Sequence, residues 1–336
     1  MVHRARAKTI AHSWVRRLRP TRRNEQHLMY ESLHNHTDEP GLTGIDSLGT
    51  VRNDGLDIAW YEVGPQDSDI TVVFIHGYCL SAEAYYSQVD YMRRHFPEVR
   101  CLLVDIRGHG LSPEVTPAQC TVDAAADDVL AVLSKRASHG KLVVVGHSLG
   151  GMVALNVIRR APDEVYQRVD SALLIATSMR RFAAKGVAQI LESKALGSLY
   201  NACMRLPRRM DRIRFEVAQW VAPLFAALLA GFPQMEKLQF HVAMLMDTPL
   251  SSYTGFFDDL LDHSEYAAAD RLARLRGEVI VGSADIVTPR SQSDVILEHW
   301  PAARLTEVDG AGHMVILEEP EAISEALGRL LVPLVD

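Results

Sequence analysis

The stretch Val143-Val144-Val145-Gly146-His147-Ser148-Leu149-Gly150-Gly151-Met152-Val153-Ala154-Leu155 restricts the fold more than any other part of the chain. The valine run reads as a buried strand, and the apolar residues from Met152 onward fall at helical spacing. Between them lies Gly-x-Ser-x-Gly. A serine on such a strand-to-helix turn takes an unfavourable backbone conformation, and its flanking positions must be small because neighbouring chain passes close. Gly146, Gly150 and Gly151 supply that room. The turn therefore reads as a device for presenting one hydroxyl, Ser148, rather than as a plain connection.

A serine hydroxyl is a poor nucleophile near neutral pH; it needs a base, and the base needs an orienting acid. His313 follows the strand candidate Arg304 to Val308 inside Asp309-Gly310-Ala311-Gly312-His313, a glycine-held position that core packing does not explain. Asp285 ends Val281-Gly282-Ser283-Ala284-Asp285, just before Thr288-Pro289. The rival acids fit less well. Asp105 opens the tight loop Arg107-Gly108-His109-Gly110, Asp127 and Asp128 fall within a helix, and Asp309 is too near His313 in sequence. Attack on an ester carbonyl also creates an oxyanion, which wants two backbone N–H donors. Leu149, next to the serine, and Tyr78, in the loop His76-Gly77-Tyr78, are the expected pair; His76 itself reads as structural.

Around these motifs, short apolar runs alternate with helical patterns. Gly49 to Val63 reads as two strands turning at Asn53-Asp54-Gly55. Further strands are expected over Ile70–His76, Arg100–Ile106, Lys141–Gly146, Ser171–Thr177 and Glu278–Gly282. Helices are expected from Ser81 to about His95, over Val122–Arg136, after Ser148, and from near Glu318-Glu319-Pro320. Such alternation implies a mostly parallel sheet covered on both faces. It breaks from Arg180 to Glu265, a helical block rich in methionine. Inside that block, Val217 to Met235 is long and uncharged, but Gln219, Pro223 and Pro233 interrupt it, so a cap or core helix is a better reading than a membrane span.

Charge is uneven. Residues 1–23 hold eight Lys and Arg and no acid, leaving 27 basic against 42 acidic residues in the remainder. An acidic body gives no support for a nucleic-acid partner. The basic segment, with Ala7, Ile10, Ala11, Trp14, Val15 and Leu18 on one helical face, suits a peripheral contact with anionic membrane, although a transit peptide or a solvated tail fits the same pattern. The cysteines, Cys79, Cys101, Cys120 and Cys203, show no CxxC spacing and read as free thiols, so a cytoplasmic location is expected. No metal or cofactor is expected.

Together, His76-Gly77, Asp105-Ile106-Arg107-Gly108-His109-Gly110-Leu111-Ser112, Gly146 to Gly151, Gly282 to Asp285 and Gly312-His313 make the chain resemble an α/β-hydrolase of the serine esterase and lipase group, over roughly Gly49 to Val335. The resemblance implies an eight-stranded sheet with helices on both faces and a helical cap between the sixth strand and the acid. The expected divisions are therefore a tail and linker over 1–48, core over 49–179 and 266–336, and a cap over 180–265. The expected reaction is hydrolysis of a carboxylic ester with an apolar, medium or long acyl group through an acyl-enzyme. A thioesterase, a C–C hydrolase and a cofactor-free haloperoxidase or perhydrolase use the same triad and stay open, as does a silent lipid-binding protein. Aspartate-nucleophile enzymes are disfavoured because position 148 is serine.

Overall fold

The computed structural model describes residues 40–180 and 235–335. Eight strands form one sheet in the order β1-β2-β4-β3-β5-β6-β7-β8. They are β1 (Ser47–Asn53), β2 (Leu56–Val63), β3 (Ile70–Ile75), β4 (Arg100–Val104), β5 (Lys141–His147), β6 (Val169–Ile175), β7 (Arg276–Gly282) and β8 (Ala303–Val308). β2 pairs antiparallel with β1 and β4, and every other pairing is parallel. The β1–β2 hairpin closes through Asp54 and Gly55, both at positive φ (46° and 74°), which matches the right-handed twist of the flanking strands.

Side chains alternate across the pleat. Val73, Ile75, Leu142 and Val144 face one cluster with α2 (Val122–Arg136), α3 (Leu149–Arg160) and α6 (Arg290–His299). Val72, Phe74, Val143 and Val145 face the other, with α1 (Tyr86–His95) and α7 (Pro320–Val335). Burial on both faces is why these strands are unbroken Val, Ile and Leu runs. Thr121 caps α2, its side chain accepting from Ala124 N at 3.1 Å. Between β6 and β7 lie α4 (Met235–Asp247) and α5 (Leu250–Asp262).

Several expected boundaries shift. The segment from Ser81 begins as a 3₁₀ turn, Ala82–Tyr85, before α1. Strands expected to run to His76 and Ile106 end at Ile75 and Val104, because the following residues turn out of the sheet to make loops. Helix α6 had no counterpart in the sequence reading. Leu42 and Ile45, inside the stretch read as linker, are each 1% exposed and pack in the core. The basic segment 1–23, Cys203, and all but Met235 of the apolar stretch Val217 to Met235 lie outside the described residues. Among the described residues, no helix is long and apolar enough to cross a membrane, and Cys79, Cys101 and Cys120 are buried free thiols.

Candidate active site

Parallel strands all deliver their C-terminal loops to one edge of the sheet, and the predicted residues meet there. Ser148 occupies the turn from β5 into α3 at φ 51° and ψ −118°, strained for a residue with a Cβ. Its N–H donates to the Ile175 carbonyl at 2.9 Å, and Thr177 Oγ1 donates to the Ser148 carbonyl at 2.7 Å. The strain is thus held from the β6 side. The space demanded of the glycines is real: a Cβ on Gly150 would stand 2.0 Å from the Ile75 carbonyl oxygen, and one on Gly146 would stand 2.3 Å from that of Gly150.

His313, on the loop after β8, lies with Nε2 2.9 Å from Ser148 Oγ and Nδ1 2.9 Å from Asp285 Oδ2. With the Nδ1 proton donated to the carboxylate, Nε2 is left to accept from the serine hydroxyl. All three side chains are buried. Burial by itself would raise the Asp285 carboxyl. His313 beside it and the donors of Thr288 outweigh that and bring it down to about 2. Thr288 Oγ1 donates to Asp285 Oδ2 at 2.7 Å, while Val287 N and Thr288 N donate to Oδ1 at 2.8 and 2.9 Å. The rival acids are engaged elsewhere. Asp105 accepts from Tyr61 Oη, Ala82 N and Leu111 N; Asp127 pairs with Arg160; Asp128 takes Arg107 in a two-pronged buried pair; Asp309 meets Ser283 Oγ.

Tyr78 and Leu149 stand at the same edge. Leu149 is the first residue of α3, so its N–H has no carbonyl one turn back, and among the described residues no acceptor meets the N–H of Leu149 or of Tyr78. The Tyr78 loop is braced from the loop after β4. Ile106 N donates to His76 Nε2 at 2.9 Å, and Cys79 N donates to His109 Nε2 at 3.2 Å. The Tyr78 hydroxyl donates to the Tyr253 carbonyl on α5. Burial holds both histidines neutral, His76 down to about 4 and His109, with His76 adding to the effect, down to about 3. His76 thus spends both ring nitrogens on loop backbone, Nε2 accepting from Ile106 N and Nδ1 donating to the Gly77 carbonyl.

Sequence reasoning missed four supporting groups. In the sequence, Thr288 is distinguished only by the proline that follows it. His109 carried a usable signal, since it lies between Gly108 and Gly110 just past a strand, the setting that singled out His313. His147 donates from Nε2 to the His313 carbonyl at 3.0 Å. Glu318 accepts from Gly312 N at 2.7 Å and Met314 N at 3.1 Å, clamping the backbone on both sides of His313. Among the described residues, no group of three or more His, Cys, Asp or Glu side chains is gathered to hold a metal ion.

Residues 72–326 match the model of the alpha/beta hydrolase family. The chain is 28% identical over 224 residues to a pimeloyl-acyl-carrier-protein methyl ester esterase from Neisseria meningitidis serogroup C, covering 66% of this chain and 78% of that protein. It is 28% identical over 251 residues to the enzyme of the same name from Sodalis glossinidius, covering 68% of this chain and 90% of that protein. Among solved structures, a hydrolase from Pseudomonas aeruginosa PA01 superposes with a TM-score of 0.67 at 25% identity, covering 86% of this chain and 99% of that one. With a matching family model over most of its length and an eight-stranded sheet of this order, the chain belongs to the alpha/beta hydrolase family.

Proposed function

We propose that the protein hydrolyses a carboxylic ester through a covalent acyl-enzyme, with Ser148 as nucleophile, His313 as general base and acid, and Asp285 as the acid that orients the imidazole. The observation that carries this reading is the unbroken line from Ser148 Oγ to His313 Nε2 and from His313 Nδ1 to Asp285 Oδ2, each 2.9 Å. Ser148 Oγ attacks the carbonyl carbon as its proton passes to His313 Nε2. The backbone N–H groups of Tyr78 and Leu149 receive the oxyanion, each donor contributing about 2.7–4 kcal/mol to the transition state, and the positive end of α3 adds to the Leu149 side. The tetrahedral intermediate collapses, and His313 returns the proton to the departing alcohol. Water then attacks the acyl-enzyme with the same base, and collapse releases the acid and restores Ser148.

The substrate reading is an ester with an apolar acyl chain. Two relatives are named as methyl ester esterases of an acyl group on a carrier protein. Helices α4 and α5, between β6 and β7, bring Leu245, Val242 and Tyr253 against Cys79 and Tyr78, an apolar surface beside the proposed oxyanion loop. A fluorophosphonate probe should label the wild type and leave Ser148→Ala unlabelled. Methyl esters lengthening from acetyl to lauroyl should show kcat/KM rising to an optimum. An unlabelled wild type, or labelling that survives Ser148→Ala, would overturn the mechanism; a profile falling steadily from acetyl would overturn the acyl preference.

A further inference from the structure

Helix α4 brings a histidine to the site that the triad does not use. By their spacing of three and four, His241, Met244 and Leu245 share one face of the helix. Leu245 packs on Cys79, beside Tyr78, and Met244 joins the core cluster that holds Ala176 and Met314. That face therefore rests on the loops after β3, β6 and β8, which surround the nucleophile. His241, one turn before Leu245, is 3% exposed. Its Nδ1 is buried and, among the described residues, meets no hydrogen-bond partner. Burial, with His313 adding to the effect, holds the ring neutral, down to about 4.

A buried polar atom without a partner is costly to keep, and native structures hold few of them. An apolar side chain at 241 would pack the same face without that cost. We propose that His241 is a specificity-determining residue that hydrogen-bonds a hydroxyl group of the substrate close to the scissile ester. A neutral imidazole offers one donor and one acceptor. A hydroxyl satisfies either ring nitrogen because it both donates and accepts; a carboxylate would instead call for a cation. This rests on the ester-hydrolase reading and narrows its substrate, which carries an uncharged polar group near the carbonyl and apolar chain beyond it.

The test uses two pairs of esters in which a hydroxyl replaces a methyl: ethyl 3-hydroxybutanoate against ethyl 3-methylbutanoate, and 2-hydroxyethyl butanoate against propyl butanoate. The wild type should favour the hydroxylated member of at least one pair by about tenfold in kcat/KM, and the responding pair shows which side of the bond faces His241. The ratio should fall to near one in His241→Phe and persist in His241→Gln, which keeps a hydrogen-bonding group. Because the readout is a ratio within one sample, loss of folded protein cancels. Wild-type ratios near one in both pairs, or a preference unchanged in His241→Phe, would remove this role while leaving the hydrolase intact. Failure to cleave any of the four, with no fluorophosphonate labelling, would bring down the ester-hydrolase reading itself.

Discussion

In the proposed reaction Asp285 acts by staying ionised and by holding one tautomer of His313. The carboxylate receives three donors besides the imidazole, two backbone N–H groups and the Thr288 hydroxyl, so an amide in its place would set donor against donor. Asp285→Asn should lower kcat by roughly 10⁴-fold with a much smaller change in KM, read from steady-state kinetics on a methyl ester. An equal fall in both parameters would argue for damage to binding instead. At this scale the sequence was informative where a residue stood in an unusual local setting. Ser148 and His313 were each betrayed by glycines at a strand tip. His241, His147 and Glu318 were not: His147 meets the His313 carbonyl 166 residues further on, Glu318 holds Gly312 N and Met314 N six and four residues back, His241 reaches the site only through the packing of α4, and no local pattern records which group a side chain will meet.

The serine turn and α3 form one element whose shape depends on close backbone approach. Gly150 lets the start of α3 lie against the carbonyl of Ile75, the last residue of β3. Gly150→Ala would drive a methyl into that backbone oxygen, which has no side-chain freedom to yield. We expect a loss of at least about 2 kcal/mol in urea unfolding, together with loss of fluorophosphonate labelling, since any relief must move Ser148 or the Tyr78 loop. An alanine variant with unchanged midpoint and labelling would show that the turn tolerates displacement. The strands were readable from their Val and Ile runs because both faces are covered. Helix α6 was not, because its buried positions include Gln292 and Ser293 beside Val295 and Ile296, which blurs the apolar period.

The whole molecule carries a cost in acid. Burial, before any other influence, lowers the proton affinity of His76, His109, His147 and His241 from 6.5 to about 4, 3, 3 and 4. Below about pH 6.5 the unfolded chain takes up protons at these sites while the folded protein does not, so stability falls as pH drops from there toward 4. Each such group adds up to about 1.4 kcal/mol per pH unit to the slope. Asp285 acts further down: its folded value is depressed from 3.8 to about 2, so its contribution is present above 3.8 and is lost as pH falls through 2. The urea midpoint should therefore be clearly lower at about pH 5 than at about pH 7; equal midpoints would mean that these rings are hydrated rather than dry. The proposed reacting groups are divided along the chain. Ser148 comes before the insertion between β6 and β7, whereas Asp285 and His313 come after it. Neither portion holds all three members of the proposed relay, and the two are joined by five paired residues from Ser171–Arg276 to Ile175–Ile280 together with the core that α1 shares with α7. On the proposed mechanism, turnover is thus a gauge of whether the two portions are docked, and two polypeptides divided at the insertion would regain chemistry only by rejoining along that sheet and core.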